Sequence, residues 1–127
     1  KHLKEMGCEV EDLGTYAEKS CHYPIYAQKV AMEVVSGRAG QGILICGTGA
    51  GMAIAANKIK GIRCAHCADC LEAAMTRRHN DANMLAIGAG FTGKNMAERM
   101  VEVFLSTEFE GGRHQRRVGL VMDIEQG

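Results

Sequence analysis

The sequence predicts an α/β protein built on a parallel sheet, and three observations carry that prediction. Apolar runs of strand length alternate with amphipathic stretches of helix length. The run Gly42-Ile43-Leu44-Ile45-Cys46 is apolar throughout, as suits a strand covered on both faces. Glycines 47, 49 and 51 follow it at once and mark a tight passage from strand into helix.

Taken in order, Lys1 to Met6 reads as the amphipathic end of a helix closed by Gly7. Cys8 to Leu13 alternates as a short strand does, and Gly14-Thr15 opens a polar connection running through Ser20-Cys21-His22. Pro24 suits a first helical turn, after which Tyr26, Ala27, Val30, Ala31, Val34 and Val35 form an apolar stripe ending at Ser36-Gly37. The Gly42–Cys46 strand leads to a helix over Met52 to Lys58. The alternation repeats with a strand over Ile62–His66, a helix from Ala68 to about Arg78, a strand over Met84–Gly88 and a helix over Lys94–Leu105. A glycine-rich basic segment, Glu110 to Arg117, precedes an apolar tail with the character of a last helix. Four strands are fewer than the five or so usual in a doubly wound sheet, and the chain opens at Lys1 inside a helix end. The expectation is therefore one domain over 1–127 whose first strand lies upstream.

Composition narrows the function. The 127 residues carry 15 Lys+Arg against 15 Asp+Glu, so there is no basic field for a duplex and no nucleic-acid partner is expected. No apolar run reaches the roughly 18 residues of a membrane span, and no signal-peptide core is visible, so a cytoplasmic protein with no membrane partner is expected. The six cysteines sit among periodic segments and read as reduced thiols.

Cys46-Gly47-Thr48-Gly49-Ala50-Gly51 places a thiol at the carboxyl end of a buried strand, just before a helix N-terminus. Ligands bind there in open α/β sheets, and the local amides favour an anion, including the thiolate of Cys46. A dinucleotide fingerprint would need Gly where Met52 stands, and no Gly-Lys-Ser/Thr ending exists for a P-loop. Cys64, Cys67 and Cys70, with His66, have metal-like spacing but straddle a strand-to-helix junction, so core-filling thiols are the better reading. His79 and Asn80 end a helix, where His79 either caps the helix or exchanges protons beside the Cys46 turn. Asp81 and Asn83 read as makers of local turn bonds. Arg113 and Arg117 share a face if their segment is helical, with an anion between them, while Arg116 points elsewhere.

With these residues in view, the chain resembles the type B ribose 5-phosphate isomerases, in the superfamily that includes galactose-6-phosphate isomerase subunits. The resemblance rests on Gly14-Thr15-Tyr16, Tyr23-Pro24, the block from Gly42 to Met52, Ile54 to Lys58, Gly61 to Arg63, His79-Asn-Asp-Ala-Asn83 and Glu108 to His114. It implies a five-stranded Rossmann-like α/β/α sandwich, a homodimer or homotetramer with active sites shared between subunits, and neither metal nor organic cofactor. It further implies an aldose–ketose isomerase, an intramolecular oxidoreductase acting on a sugar phosphate through an enediolate. Carried onto this chain, Cys46 is the base, His79 assists ring opening, and Thr48 handles the sugar hydroxyls. The backbone of Gly47, Gly49, Ala50 and Gly51 holds the enediolate, Asn80 contacts the sugar, and Arg113 and Arg117 hold the phosphate. Ala50 together with Cys46 matches the cysteine branch of the family. An Asp-His pair on the family's first strand would precede Lys1, and Gly90 stands where the family often has arginine.

Ribose 5-phosphate is the favoured substrate, because the His-Asn-Asp and Gly-Gly-Arg-His blocks are intact. The alternatives are a six-carbon sugar phosphate (allose or galactose 6-phosphate), a non-catalytic phosphosugar-binding domain, and a metal or redox module on Cys64, Cys67 and Cys70.

Overall fold

The computed structural model describes residues 23–126. The strand expected over Cys8–Leu13, the helix end before it and the connection through His22 lie outside the described residues. The described elements are α1 (Tyr23–Val35), β1 (Gly42–Cys46), α2 (Ala50–Asn57), β2 (Cys64–His66), α3 (Cys70–Asn80), β3 (Met84–Gly88), α4 (Lys94–Ser106), α5 (Arg113–Asp123) and a 3₁₀ turn over Ile124–Gln126. This is the alternation the sequence predicts.

All described strands are parallel, in the order β1-β3-β2, with Gly42 opposite Met84 and Cys46 opposite Gly88. Central β3 is buried at every residue, and its side chains divide by the two-residue period of a strand. Met84 and Ala86 pack with Ala27 and Ala31 of α1, Leu44, and Met52, Ala53 and Ala56 of α2. Leu85 and Ile87 pack with Ala73 of α3 and with Met100, Val101 and Phe104 of α4 on the opposite face. Helices on both faces of one parallel sheet make a Rossmann-like α/β/α sandwich.

Among the differences from the sequence reading are two boundaries, each with a local reason, and the cover of β1. β2 starts at Cys64 rather than Ile62, because the Ile62 amide closes a turn onto Ile59 O and the Arg63 amide donates to Asn83 Oδ1 at 2.7 Å. α3 starts at Cys70 because Asp69 caps it: the Glu72 amide donates to Asp69 Oδ1, and Glu72 Oε1 accepts from the Ala68 amide, one residue before the cap. β1 is not covered on both faces, since Leu44 is buried while Ile45 is 57% exposed. Asn83 also exceeds its expected local role. Its amide group bridges Arg63 N and Gly61 O, joining the starts of β2 and β3.

The last helix packs chiefly on α3 and carries an outward apolar face of Leu120 and Val121. At its end the Glu125 carboxylate accepts from the Gly61 amide at 3.0 Å, tying the tail to the loop before β2. No helix among the described residues is long and apolar enough to cross a membrane.

Candidate active site

At the carboxyl end of the sheet, Cys46 closes β1 and the chain turns sharply into α2. The turn depends on Gly49, whose φ of 81° lies in the left-handed region. A β-carbon there would come within 2.9 Å of both the Gly88 amide nitrogen and the His66 ring. Gly49 N–H donates to Cys46 Sγ at 3.2 Å, and Ala50 N–H donates to Thr48 Oγ1 at 3.3 Å. Two of the amides expected to hold an anion thus hold the site's own side chains. The amides of Gly51 and Met52 open α2, where the helical ladder supplies them no acceptor. Gly51 also leaves room for the Tyr23 ring, which a β-carbon would meet at 2.7 Å.

The turn is braced from β3. Ala89 N–H donates to Cys46 O at 2.7 Å, and Gly90 N–H donates to Gly47 O at 2.9 Å. A β-carbon on Gly90 would lie 2.8 Å from that same oxygen, so glycine at position 90 lets the two loops close on each other. Cys46 is half-buried, while Gly47 and Thr48 are exposed. A thiol and a hydroxyl therefore share one open, amide-rich turn.

The second group of residues lies at the other end of the sheet. α3 begins after the carboxyl end of β2 and returns the chain to the start of β3, so His79 and Asn80 in its last turn sit at the amino end. β1 alone separates the two ends by about 13 Å at the usual rise per residue. Within one chain His79 is therefore not beside the Cys46 turn, which corrects the sequence reading. The error has a physical source: in a parallel sheet a crossover helix must carry the chain back, so its two ends serve opposite edges.

At this amino end the loop after α4 folds over the end of α3. Glu110 N–H donates to Arg78 O, and the Arg77 guanidinium donates to Thr107 O, Ala82 O and the carboxylate of Asp81. Asp81, at φ 47°, ends α3 in the left-handed conformation and also receives the Arg63 guanidinium. The glycines at 111 and 112 then turn the chain into α5, which is helical as the Arg113/Arg117 pairing requires. The His79 and His114 rings stack with centroids 4.3 Å apart and planes 16° from parallel. His114 is buried, with Nε2 3.4 Å from Glu110 Oε1. Burial, then the His79 ring and the Arg113 and Arg117 guanidiniums, hold the His114 pKa below the ordinary imidazole value, and only Glu110 opposes them.

Among the described residues neither Arg113 nor Arg117 has a carboxylate partner. His79, Asn80, His114 and Arg117 open onto a cavity of about 740 Å³ between α3, β2 and α5, whose far wall includes Val118, Val121 and Met122. Neither Arg113 nor Arg116 lines it. Asn80 Oδ1 accepts from Thr76 Oγ1 at 3.2 Å, which leaves its amide nitrogen to face the cavity or solvent.

His79, Glu110 and His114 are also the one group of three potential metal ligands among the described residues, with donor atoms within 4.8 Å of one another. Two imidazoles and a carboxylate suit a divalent transition metal in donor type. The surroundings do not: the charges of Arg113 and Arg117 both act on His114, and two guanidiniums against one carboxylate favour an anion.

The thiols with metal-like spacing do not converge on a metal. Cys64 packs with the α1/α2 cluster and Cys67 with the α3/α4 cluster, while Cys70 meets Met96 Sδ at 3.7 Å. Burial pushes the Cys64 and Cys67 thiols up to about 12. They are core-filling, as the sequence suggests.

The family model described as Ribose/Galactose Isomerase matches residues 1–121. The chain belongs to this family. Among ribose/galactose isomerase relatives, ribose-5-phosphate isomerase B of Escherichia coli strain K12 is 47% identical over 125 residues, which cover 98% of this chain and 84% of that protein. The putative sugar phosphate isomerase YwlF of Bacillus subtilis strain 168 is 51% identical over 122 residues, covering 96% of this chain and 78% of that one. The solved structure of Clostridium thermocellum ribose-5-phosphate isomerase B superposes with a TM-score of 0.96 at 49% identity, covering 98% of this chain and 84% of that chain. Ribose-5-phosphate isomerase B of Mycoplasma genitalium with bound ribulose-5-phosphate gives 0.93 at 39% identity, with the same coverages. The sandwich described above is thus the ribose/galactose isomerase fold.

Sequence reasoning assigned no role to Glu110 and His114. Their spacing of four residues, beside Arg113, hinted at a paired carboxylate and imidazole, but the stack on His79 is a tertiary contact without a sequence signature.

Proposed function

We propose that this protein is a sugar-phosphate aldose–ketose isomerase that interconverts ribose 5-phosphate and ribulose 5-phosphate in the cytoplasm. The observation that supports this reading best is the pair of complementary half-sites at opposite ends of the sheet. One end offers a thiol, a hydroxyl and helix-opening amides; the other offers an imidazole, an amide and two guanidiniums without a carboxylate partner among the described residues. A sugar phosphate needs both kinds of group at once, and one chain keeps them about a strand length apart. The working unit is therefore a homodimer or a larger homo-oligomer in which the Cys46 end of one copy meets the His79 end of another.

In such a shared site Arg113 and Arg117 hold the phosphate, and their fork geometry suits its oxygens. His79 moves a proton at the ring oxygen as the furanose opens, and Asn80 contacts the sugar. Cys46, as thiolate, takes the proton from C2, leaving an enediolate. The amides at the start of α2 hold that negative charge while Thr48 contacts the hydroxyls. The Cys46 thiol then returns its proton to C1, and the hydroxyl proton passes from O2 to O1, so that aldose becomes ketose with no net gain or loss of atoms or electrons. Every step uses groups of the chain itself.

The test is incubation with ribose 5-phosphate in heavy water, following ribulose 5-phosphate and deuterium at C1 and C2 by NMR. Product carrying deuterium is the expected result. Conversion of allose or galactose 6-phosphate in place of ribose 5-phosphate would reassign the substrate, and binding without C–H exchange would reduce the protein to a phosphosugar-binding domain.

A further inference from the structure

We infer that His114, fixed by Glu110, is a positioning residue that holds the His79 imidazole in its working orientation. This rests on the role proposed above for His79. His79 occupies the last turn of α3, half-buried at the mouth of the cavity, where its side chain would otherwise choose among staggered rotamers. The His114 ring lies flat against it at 4.3 Å and removes that freedom. His114 cannot drift, because it is 7% exposed and its helix starts on the glycine turn at 111 and 112.

Glu110 completes the device. Its carboxylate oxygen lies 3.4 Å from His114 Nε2 and so stands against the edge of the ring. The groups facing His114 are His79 from α3, Glu110 from the preceding loop, and Arg113 and Arg117 from its own helix. Three of these four disfavour a second positive charge, as burial does. His114 is therefore harder to protonate than a free imidazole. A charged ring in its place would repel a protonated His79 across the stack.

The experiment compares two reactions of the whole protein. Ribose 5-phosphate must be opened before it can be isomerised. Ribulose 5-phosphate cannot close a furanose, because its C5 oxygen carries the phosphate, so deuterium uptake at its C1 needs no ring opening. Glu110→Ala and His114→Phe should lose kcat on ribose 5-phosphate by about tenfold to a hundredfold, the scale of a misplaced catalytic group, with KM little changed and the pH–rate profile displaced. Deuterium uptake by ribulose 5-phosphate should stay near wild type. Glu110→Gln keeps an acceptor oxygen and should restore most of the loss; Glu110 is exposed, so both of its variants fold. Wild-type turnover and pH profile in Glu110→Ala and His114→Phe, or equal loss of both reactions, would overturn the inference. His79→Asn serves as reference. If it spares ring opening, the proposed role of His79 fails and this inference with it; if it is selectively defective while the other variants are not, this inference alone fails.

Discussion

The backbone amide of Gly49 donates a hydrogen bond to the sulfur of Cys46, so the turn that exposes the thiol also aims it. The chain can make this bond because residue 49 sits at φ 81°, with the Gly88 amide and the His66 ring filling the space a side chain would take. Gly49→Ala should destabilise the fold by roughly 1–3 kcal/mol, from left-handed strain and overpacking, and lower activity with it. Urea unfolding checks the stability. Wild-type stability together with wild-type turnover would contradict this account of the turn.

Cys46→Ala removes the proposed base from a half-buried position outside the fully buried core. Turnover of ribose 5-phosphate and C1 exchange of ribulose 5-phosphate should both fall by about 10²- to 10⁴-fold, the usual worth of a positioned proton-transfer group. Circular dichroism should be unchanged. Normal exchange by the folded variant would place the base elsewhere.

Separation of the half-sites predicts complementation. Cys46→Ala and His79→Asn, each inactive on ribose 5-phosphate alone, should regain about a quarter of wild-type activity when mixed and refolded as dimers, because half the dimers are mixed and each has one intact site of two. A mixture as dead as its parents would argue for a site within one chain.

His114 predicts an acid-side loss of stability. Its folded pKa lies below the ordinary 6.5, mainly through burial and then through His79, Arg113 and Arg117. The unfolded chain therefore binds this proton first, so stability falls as pH drops through 6.5 and levels off once the folded-state pKa is passed. His114→Phe should flatten that slope in thermal melts between pH 7 and pH 5. An identical slope in the variant would remove His114 as its cause.

Thiol chemistry should follow burial. Cys64 and Cys67, pushed up to about 12, stay protonated in the native protein, whereas Cys46 opens onto the turn. Iodoacetamide followed by peptide mass mapping should label Cys46 well before Cys64 or Cys67. In the unfolded chain the same two thiols ionise from the ordinary value of 9.0, so stability should decline as pH rises above it. Early labelling of Cys67 would mean that its side of the core opens readily.

Much of the fold could be read from residue order, because the relevant forces are local or periodic. Met84–Gly88 is apolar, with Asn83 before it and Ala89-Gly90 after it, and it forms β3 over those residues. The spacing of Arg113 and Arg117 has meaning only on a helix, and α5 is one. The glycine turn after Cys46 was legible because few sequences tolerate so many glycines there without a close approach to accommodate. What could not be read depends on contacts between distant segments. The Ile62 and Arg63 amides are drawn out of β2 by Ile59 and Asn83. The relation of His79 to Cys46 was misread for a different reason. Proximity was inferred from shared chemistry, whereas a parallel crossover sends the two residues to opposite edges.

The proposed division of one site between two edges has a consequence for the protein in dilute solution. If each half-site alone is idle, the concentration of working sites follows mass action between copies rather than the amount of folded chain. Well below the dissociation constant of the assembly, halving the protein should cut the rate about fourfold, and substrate that bridges the two edges should draw the copies together.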